Sequence, residues 1–212
     1  AGSIDEDNDQ KGLAHFIEHM CFNGTKHFPK NELVKYLEGT GMRFGADLNA
    51  NTSFDRTYYL LQVPTDQDKT FEDGMQILQD WLRGVSFDQD ELDKERRVIL
   101  EEWRLYRGAQ DRIMKQQFPK MLWGSRYVER DVIGDTAVIM NAPRETFLRY
   151  YNDWYRPNLS AVILVGDFDV KEAEAKLIKY FEPLKNPENP REKKYYPMPE
   201  HADPKISVAT DK

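Results

Sequence analysis

The 212-residue sequence is almost without cysteine. Cys21 stands alone, so no internal disulfide can form and the fold has to rest on packing. A positive excess is missing too: 30 Lys and Arg against 37 Asp and Glu leave a formal net charge of −7. That balance argues against nucleic acid or an anionic membrane as the main partner. No long apolar run is present. The one in the C-terminal half covers residues 161–165, far short of the ~20 residues of a transmembrane helix. No signal peptide opens the chain, which starts Ala1-Gly2-Ser3 without Met; an upstream segment is expected. What is present is a 40% hydrophobic share, enough for a core in one large domain or two small ones.

Periodicity and punctuation divide the chain. A first helix is expected from about Gly12 to Phe22, stopped by Asn23-Gly24, and a second carries Leu33, Val34 and Leu37 up to Gly39 and Gly41. Strand-like text over residues 44–51 and 57–63, with Ser53-Phe54-Asp55 between, predicts an antiparallel hairpin. From Asp66 the period turns helical, with Phe71, Met75, Leu78 and Leu82 on one face. Asp88 and Glu91 resemble a capping box for a helix carrying Leu92, Val98, Ile99 and Tyr106, extending past Gly108 to Phe118 and interrupted by Pro119. Helices near 135–140, 144–154 and 170–181 follow, with a strand at 160–165 between the last two. Residues 183–203, rich in Pro, Lys and Glu, read as a linker. They would join a domain over 1–182 to the start of another at 204–212, whose residues 205–209 look like a strand. Strands followed by runs of helix indicate an α+β class.

His15-Phe16-Ile17-Glu18-His19 carries the chemistry. On a helix the two histidines leave one face a turn apart, the separation that two ligands of one Zn²⁺ need. Glu18 is close enough to take a proton from a water activated by such an ion. Chance gives on the order of 0.01 such pentapeptides in a chain of this composition, so the motif is informative. The alternative is two unrelated histidines on a helix.

A catalytic zinc needs a third protein ligand. His27 and His201 are the remaining histidines, and Cys21 points away from His19 on the same helix. A carboxylate is therefore expected. Glu95 and Glu102, seven apart, share the helix side of Leu92, Val98, Ile99 and Tyr106, while Glu101 is turned about 100° away. The bland alternative puts both glutamates on a solvated edge.

His15 to Thr25 as a whole resembles the inverted zinc motif of the pitrilysin-type metallopeptidases, family M16. Further likenesses are spread along the chain: Leu48-Asn49-Ala50-Asn51-Thr52 with Thr57 and Tyr58, the Glu95-x6-Glu102 helix, and Trp154-Tyr155-Arg156-Pro157-Asn158 leading to Val165-Gly166-Asp167. Phe28-Pro29-Lys30-Asn31 and Glu101-Glu102-Trp103-Arg104 are most similar to the bacterial PqqL-type branch.

The resemblance implies a two-layer sandwich of a largely antiparallel sheet packed against helices. It implies one zinc ion held by His15, His19 and Glu102, with Glu18 as the base and Glu95 as a carboxylate supporting the site. Asn49 and Ala50 would offer main-chain hydrogen bonds to an extended peptide substrate. By the same likeness the location is the bacterial periplasm. Family domains begin with strands ahead of Ala1, and active members have a second half closing over the substrate. The C-terminal half of the same polypeptide is therefore an expected partner, or else association of copies through an unpaired sheet edge. The rival function is a structural or binding homologue that keeps the fold without chemistry; such homologues typically lose a ligand or the base, and here all four positions are filled.

Overall fold

The computed structural model describes residues 1–43, 45–65, 68–105, 108–200, 204 and 206–211. It is helix-rich, with one small antiparallel sheet, in keeping with the α+β expectation. The helices are α1 (Leu13–Met20), α2 (Glu32–Gly39), α3 (Asp68–Arg83), α4 (Gln89–Leu105), α5 (Ala109–Met121), α6 (Thr136–Asn141), α7 (Arg144–Trp154) and α8 (Val170–Phe181). Strands β1 (Leu48–Thr52) and β2 (Thr57–Leu61) pair antiparallel as the predicted hairpin, with Leu48 opposite Leu61 and Thr52 opposite Thr57.

α1 is the centre of the molecule. Leu13, Ala14, Phe16, Ile17 and Met20 are wholly buried where it packs on β1, α4 and α7. Each large apolar side chain buried this way contributes roughly 1.5–3 kcal/mol. Phe16 meets Phe147 of α7 edge-on, ring centres 4.8 Å apart, and the Arg96 guanidinium of α4 lies 5.6 Å from the Phe147 ring centre. Arg96 also donates to the carbonyls of Ile139 and Ala142 at 2.5 and 2.6 Å, fixing α4 against the end of α6.

The start of α1 is set by a close backbone crossing. Gly12, its N-cap at φ 97°, lies against Gly134 at φ 82°; a Cβ on Gly134 would sit 2.2 Å from the Gly12 Cα. Only glycine tolerates both the dihedral and the approach. The helix N-terminus is met from within by the buried Glu6 carboxylate, which accepts from Gly12 N at 3.0 Å and Ala14 N at 2.9 Å.

Several expectations are corrected. Residues 160–165 form no strand; Ile163 and Val165 are 81% and 90% exposed, because no described segment pairs with this continuous apolar run. Residues 206–209 likewise form none, and Lys205 lies outside the described residues. α4 does not run on to Phe118: it ends at Leu105, and Gly108, in an extended conformation, caps a separate α5. Pro119 does not interrupt α5 but sits in its last turn. Val98 is half exposed rather than on the core face, whereas Leu92 and Ile99 are fully buried. Phe44, Asp66 and Tyr106 lie outside the described residues. Described residues 185–200 have neither helix nor strand and are tied down by ion pairs, Arg191 to Asp7 and Asp153 and Lys193 to Asp5.

Candidate metal centre

Two helices bring the motif residues together. His15 and His19 leave one side of α1, their ring centres 4.7 Å apart, and α4 crosses with Glu102 facing them. Glu102 Oε2 lies 3.6 Å from His15 Nε2 and 3.5 Å from His19 Nε2. Tetrahedral coordination with Zn–N and Zn–O bonds near 2.0–2.2 Å puts ligand atoms about 3.3–3.5 Å apart. One ligand atom from each of the three residues lies within 4.8 Å of the other two, so the donor set suits zinc in both chemistry and spacing.

The protonation of His15 is consistent with ligation. Burial, with His19 as a lesser cause, pushes His15 down to about 3, so its ring is neutral at pH 7 with a lone pair to offer. Burial works to lower His19, but the hydrogen bond and charge of Glu95, together with the charges of Glu102 and Glu18, outweigh it, and the net direction is up, toward the charged ring. Glu95 Oε1 lies 2.7 Å from His19 Nδ1; with the proton on Nδ1, Nε2 is left to face Glu102. Among the described residues the buried Nδ1 of His15 has no such partner.

Glu18 sits beside the histidines and is nearly buried. Burial raises its pKa, and the Thr52 hydroxyl, which donates to Oε2, pulls it partly back. Asn49 and Ala50 lie on β1 and are not among the clustered ligand residues. Asn49 is exposed; its Nδ2 donates to the Gly45 carbonyl and its Oδ1 accepts from the Ala50 N–H at 2.9 Å. Glu101 is turned away and pairs with Arg104. His27 bonds Asp80 at 2.8 Å, and buried Cys21 bonds the Tyr59 hydroxyl at 3.2 Å, so neither joins the cluster. His201 lies outside the described residues.

Three supporting residues escape a reading by spacing. Asn23, which reads as a helix stop, also donates to Glu95 Oε2 at 2.5 Å and holds that carboxylate from its far side. Thr52 holds Glu18, and Glu6 caps α1. The first two partners are 72 and 34 residues away along the chain; only the polar type of each residue is a signal.

Comparison with known proteins bears on the same stretch. Residues 1–136 match the family model described as insulinase (peptidase family M16), and residues 141–212 match that of the peptidase M16 inactive domain. The probable zinc protease PqqL of Haemophilus influenzae is 40% identical over 187 residues, covering 88% of this chain and 20% of that protein. A PQQL-like zinc protease of Arabidopsis thaliana is 35% identical over 207 residues, 97% of this chain and 22% of its own length. The crystal structure of the first half of the periplasmic protease PqqL from Escherichia coli superposes with a TM-score of 0.89 at 36% identity. It covers 94% of this chain and 42% of that one. The chain thus spans about a fifth of the length of these two curated relatives. With the inverted zinc motif lying inside a family match over 136 of its residues, the chain belongs to peptidase family M16.

Proposed function

We propose that this chain is the zinc-binding portion of a metalloendopeptidase that cleaves peptides or unfolded segments. The observation that carries the reading is the placement of His15 Nε2 and His19 Nε2 at 3.6 and 3.5 Å from one oxygen of Glu102. His15, His19 and Glu102 would hold one Zn²⁺, with Glu95 orienting His19. A zinc ion there supplies Lewis acidity, lowering the pKa of a water and polarising the scissile carbonyl. Glu18 takes the proton from that water and passes it to the leaving amine, a role that its burial and raised affinity for a proton favour.

The substrate lies along β1. In an antiparallel pair alternate residues turn their main-chain groups to the partner strand. The bond from Gln62 N to the Asp47 carbonyl sets odd-numbered positions toward β2, which turns the main-chain groups of Leu48, Ala50 and Thr52 to the other edge, where the Leu48 carbonyl already accepts from Gly45 N at 2.8 Å. A peptide would add there as a third strand on the main chain near Asn49 and Ala50, displacing the Asn49 side chain from the Ala50 N–H. The names of the PqqL relatives support a periplasmic location, and their greater length supports a C-terminal half of the same polypeptide as the partner that completes the site.

In the full-length protein, His15→Ala with His19→Ala should abolish stoichiometric zinc, whereas Glu18→Gln should keep zinc and lose peptidase activity by orders of magnitude. Equal zinc in the double variant and wild type would refute the ligand set, and full activity of Glu18→Gln would refute the base.

A further inference from the structure

We propose that Thr52 is the positioning residue for Glu18, fixing the carboxylate to the strand edge along which the peptide is aligned. The inference rests on Glu18 acting as the base. Glu18 is on α1 and Thr52 is the last residue of β1; both are nearly buried, each about 8% exposed. A carboxylate in such a place needs donors, and the Thr52 hydroxyl supplies one, to Oε2. Across the hairpin the Thr57 Oγ1 lies 3.3 Å from that of Thr52, and Thr57 donates to the Ala1 carbonyl.

Register gives this contact its consequence. Ala50 and Thr52 are successive open-edge positions of one strand, about 7 Å apart at the usual rise. A peptide paired at Ala50 is therefore placed along the strand relative to Thr52, and through Thr52 relative to Glu18. With Oε2 held by the hydroxyl, Oε1 remains for the water. The strand that holds the substrate thus also aims the base, and misplacement by about 1 Å is enough to cost on the order of 100-fold in rate. If Thr52 only fills space, a side chain of the same shape without the hydroxyl should serve as well.

Thr52→Val and Thr52→Ser separate the two cases in the full-length, zinc-loaded protein, assayed with a quenched-fluorescent peptide that wild type cleaves. The expected result for Thr52→Val is a fall in kcat of about 10- to 100-fold, with KM within about twofold and zinc content unchanged. Thr52→Ser, which restores the donor, should recover most of the loss. Wild-type kcat in Thr52→Val would overturn the inference, as would an equal loss in Thr52→Ser or a loss that tracks zinc content. Glu18→Gln run alongside keeps the two claims apart. If it is inactive while Thr52→Val is fully active, only the positioning role fails; if it is active, the base assignment fails.

Discussion

Glu95 is the carboxylate whose removal should show how far the candidate metal centre depends on its support. Its two oxygens are both engaged, Oε1 with His19 Nδ1 at 2.7 Å and Oε2 with Asn23 Nδ2 at 2.5 Å. Glu95→Gln keeps the shape but turns charge-assisted bonds into neutral ones, about 1.5–3 kcal/mol against about 0.5–1.5 kcal/mol. A Gln oxygen turned to His19 also aims its NH₂ at the Asn23 NH₂, donor against donor. The loss on the His19 bond alone is about 1–1.5 kcal/mol, or roughly tenfold in zinc affinity. Glu95→Ala releases the ring altogether, and the loss should approach the ~100-fold upper range for such supporting partners. The assay is competition for zinc against a fluorescent chelator in the full-length protein at constant pH. Zinc affinity of Glu95→Ala within twofold of wild type would show that His19 is oriented by packing alone and would refute the reasoning.

Two further predictions concern the frame that carries α1. Gly134→Ala should cost at least ~2 kcal/mol, because a Cβ at φ 82° would overlap Gly12 at 2.2 Å; a loss under about 0.5 kcal/mol by denaturant unfolding would contradict the crossing. Glu6, pushed up by burial from 4.5 to about 8, keeps in the folded state a proton that the unfolded chain releases. Its contribution is therefore fully present below pH 4.5 and is lost as pH rises through about 8. Glu6→Gln should flatten the fall of the thermal midpoint across that window, and identical slopes in both proteins would refute the buried, proton-holding carboxylate.

Local chemistry made much of this legible in the sequence. The Asp88 cap is present, accepting from Asp90 and Glu91 N–H at 3.0 and 3.3 Å, and the hairpin turns where Ser53-Phe54-Asp55 indicates. The i, i+4 histidines meet the second glutamate of the Glu95-x6-Glu102 pair because both spacings are set by a helical turn. Patterns that depend on partners were less legible. On α3 the stripe of Phe71, Met75, Leu78 and Leu82 suggests one apolar face, yet Ile77 and Trp81 are the more deeply buried pair beside Met75. α3 serves two neighbours: Phe71 stacks on Phe168 and lies under Lys176 of α8, while Ile77 and Trp81 turn into the core. Residues 160–165 have a strand's composition, but composition supplies no partner, and pairing is what makes a strand. Thr52 and Asn23 carry no spacing signal at all, since their acceptors lie on other elements.

The polar groups of α1 explain why these supports are not interchangeable. A helix with its apolar side chains buried this completely could rotate or slide by a fraction of a turn at modest cost if packing were its only constraint. Three hydrogen-bonded contacts from three different segments oppose that. Glu6, ahead of the helix, takes the Gly12 and Ala14 N–H groups and fixes its start. Glu95 of α4 takes His19 Nδ1 and sets the ring on the ligand side. Thr52 of β1 takes Glu18 on the flank toward the open strand edge. Each resists a different displacement, so each should fail in a different measurement: Glu6 in the pH dependence of stability, Glu95 in zinc affinity, Thr52 in kcat. A variant of Thr52 that lost zinc before turnover, or of Glu95 that lost turnover at full zinc occupancy, would mean that the helix responds as one unit and that the three contacts do not divide the work.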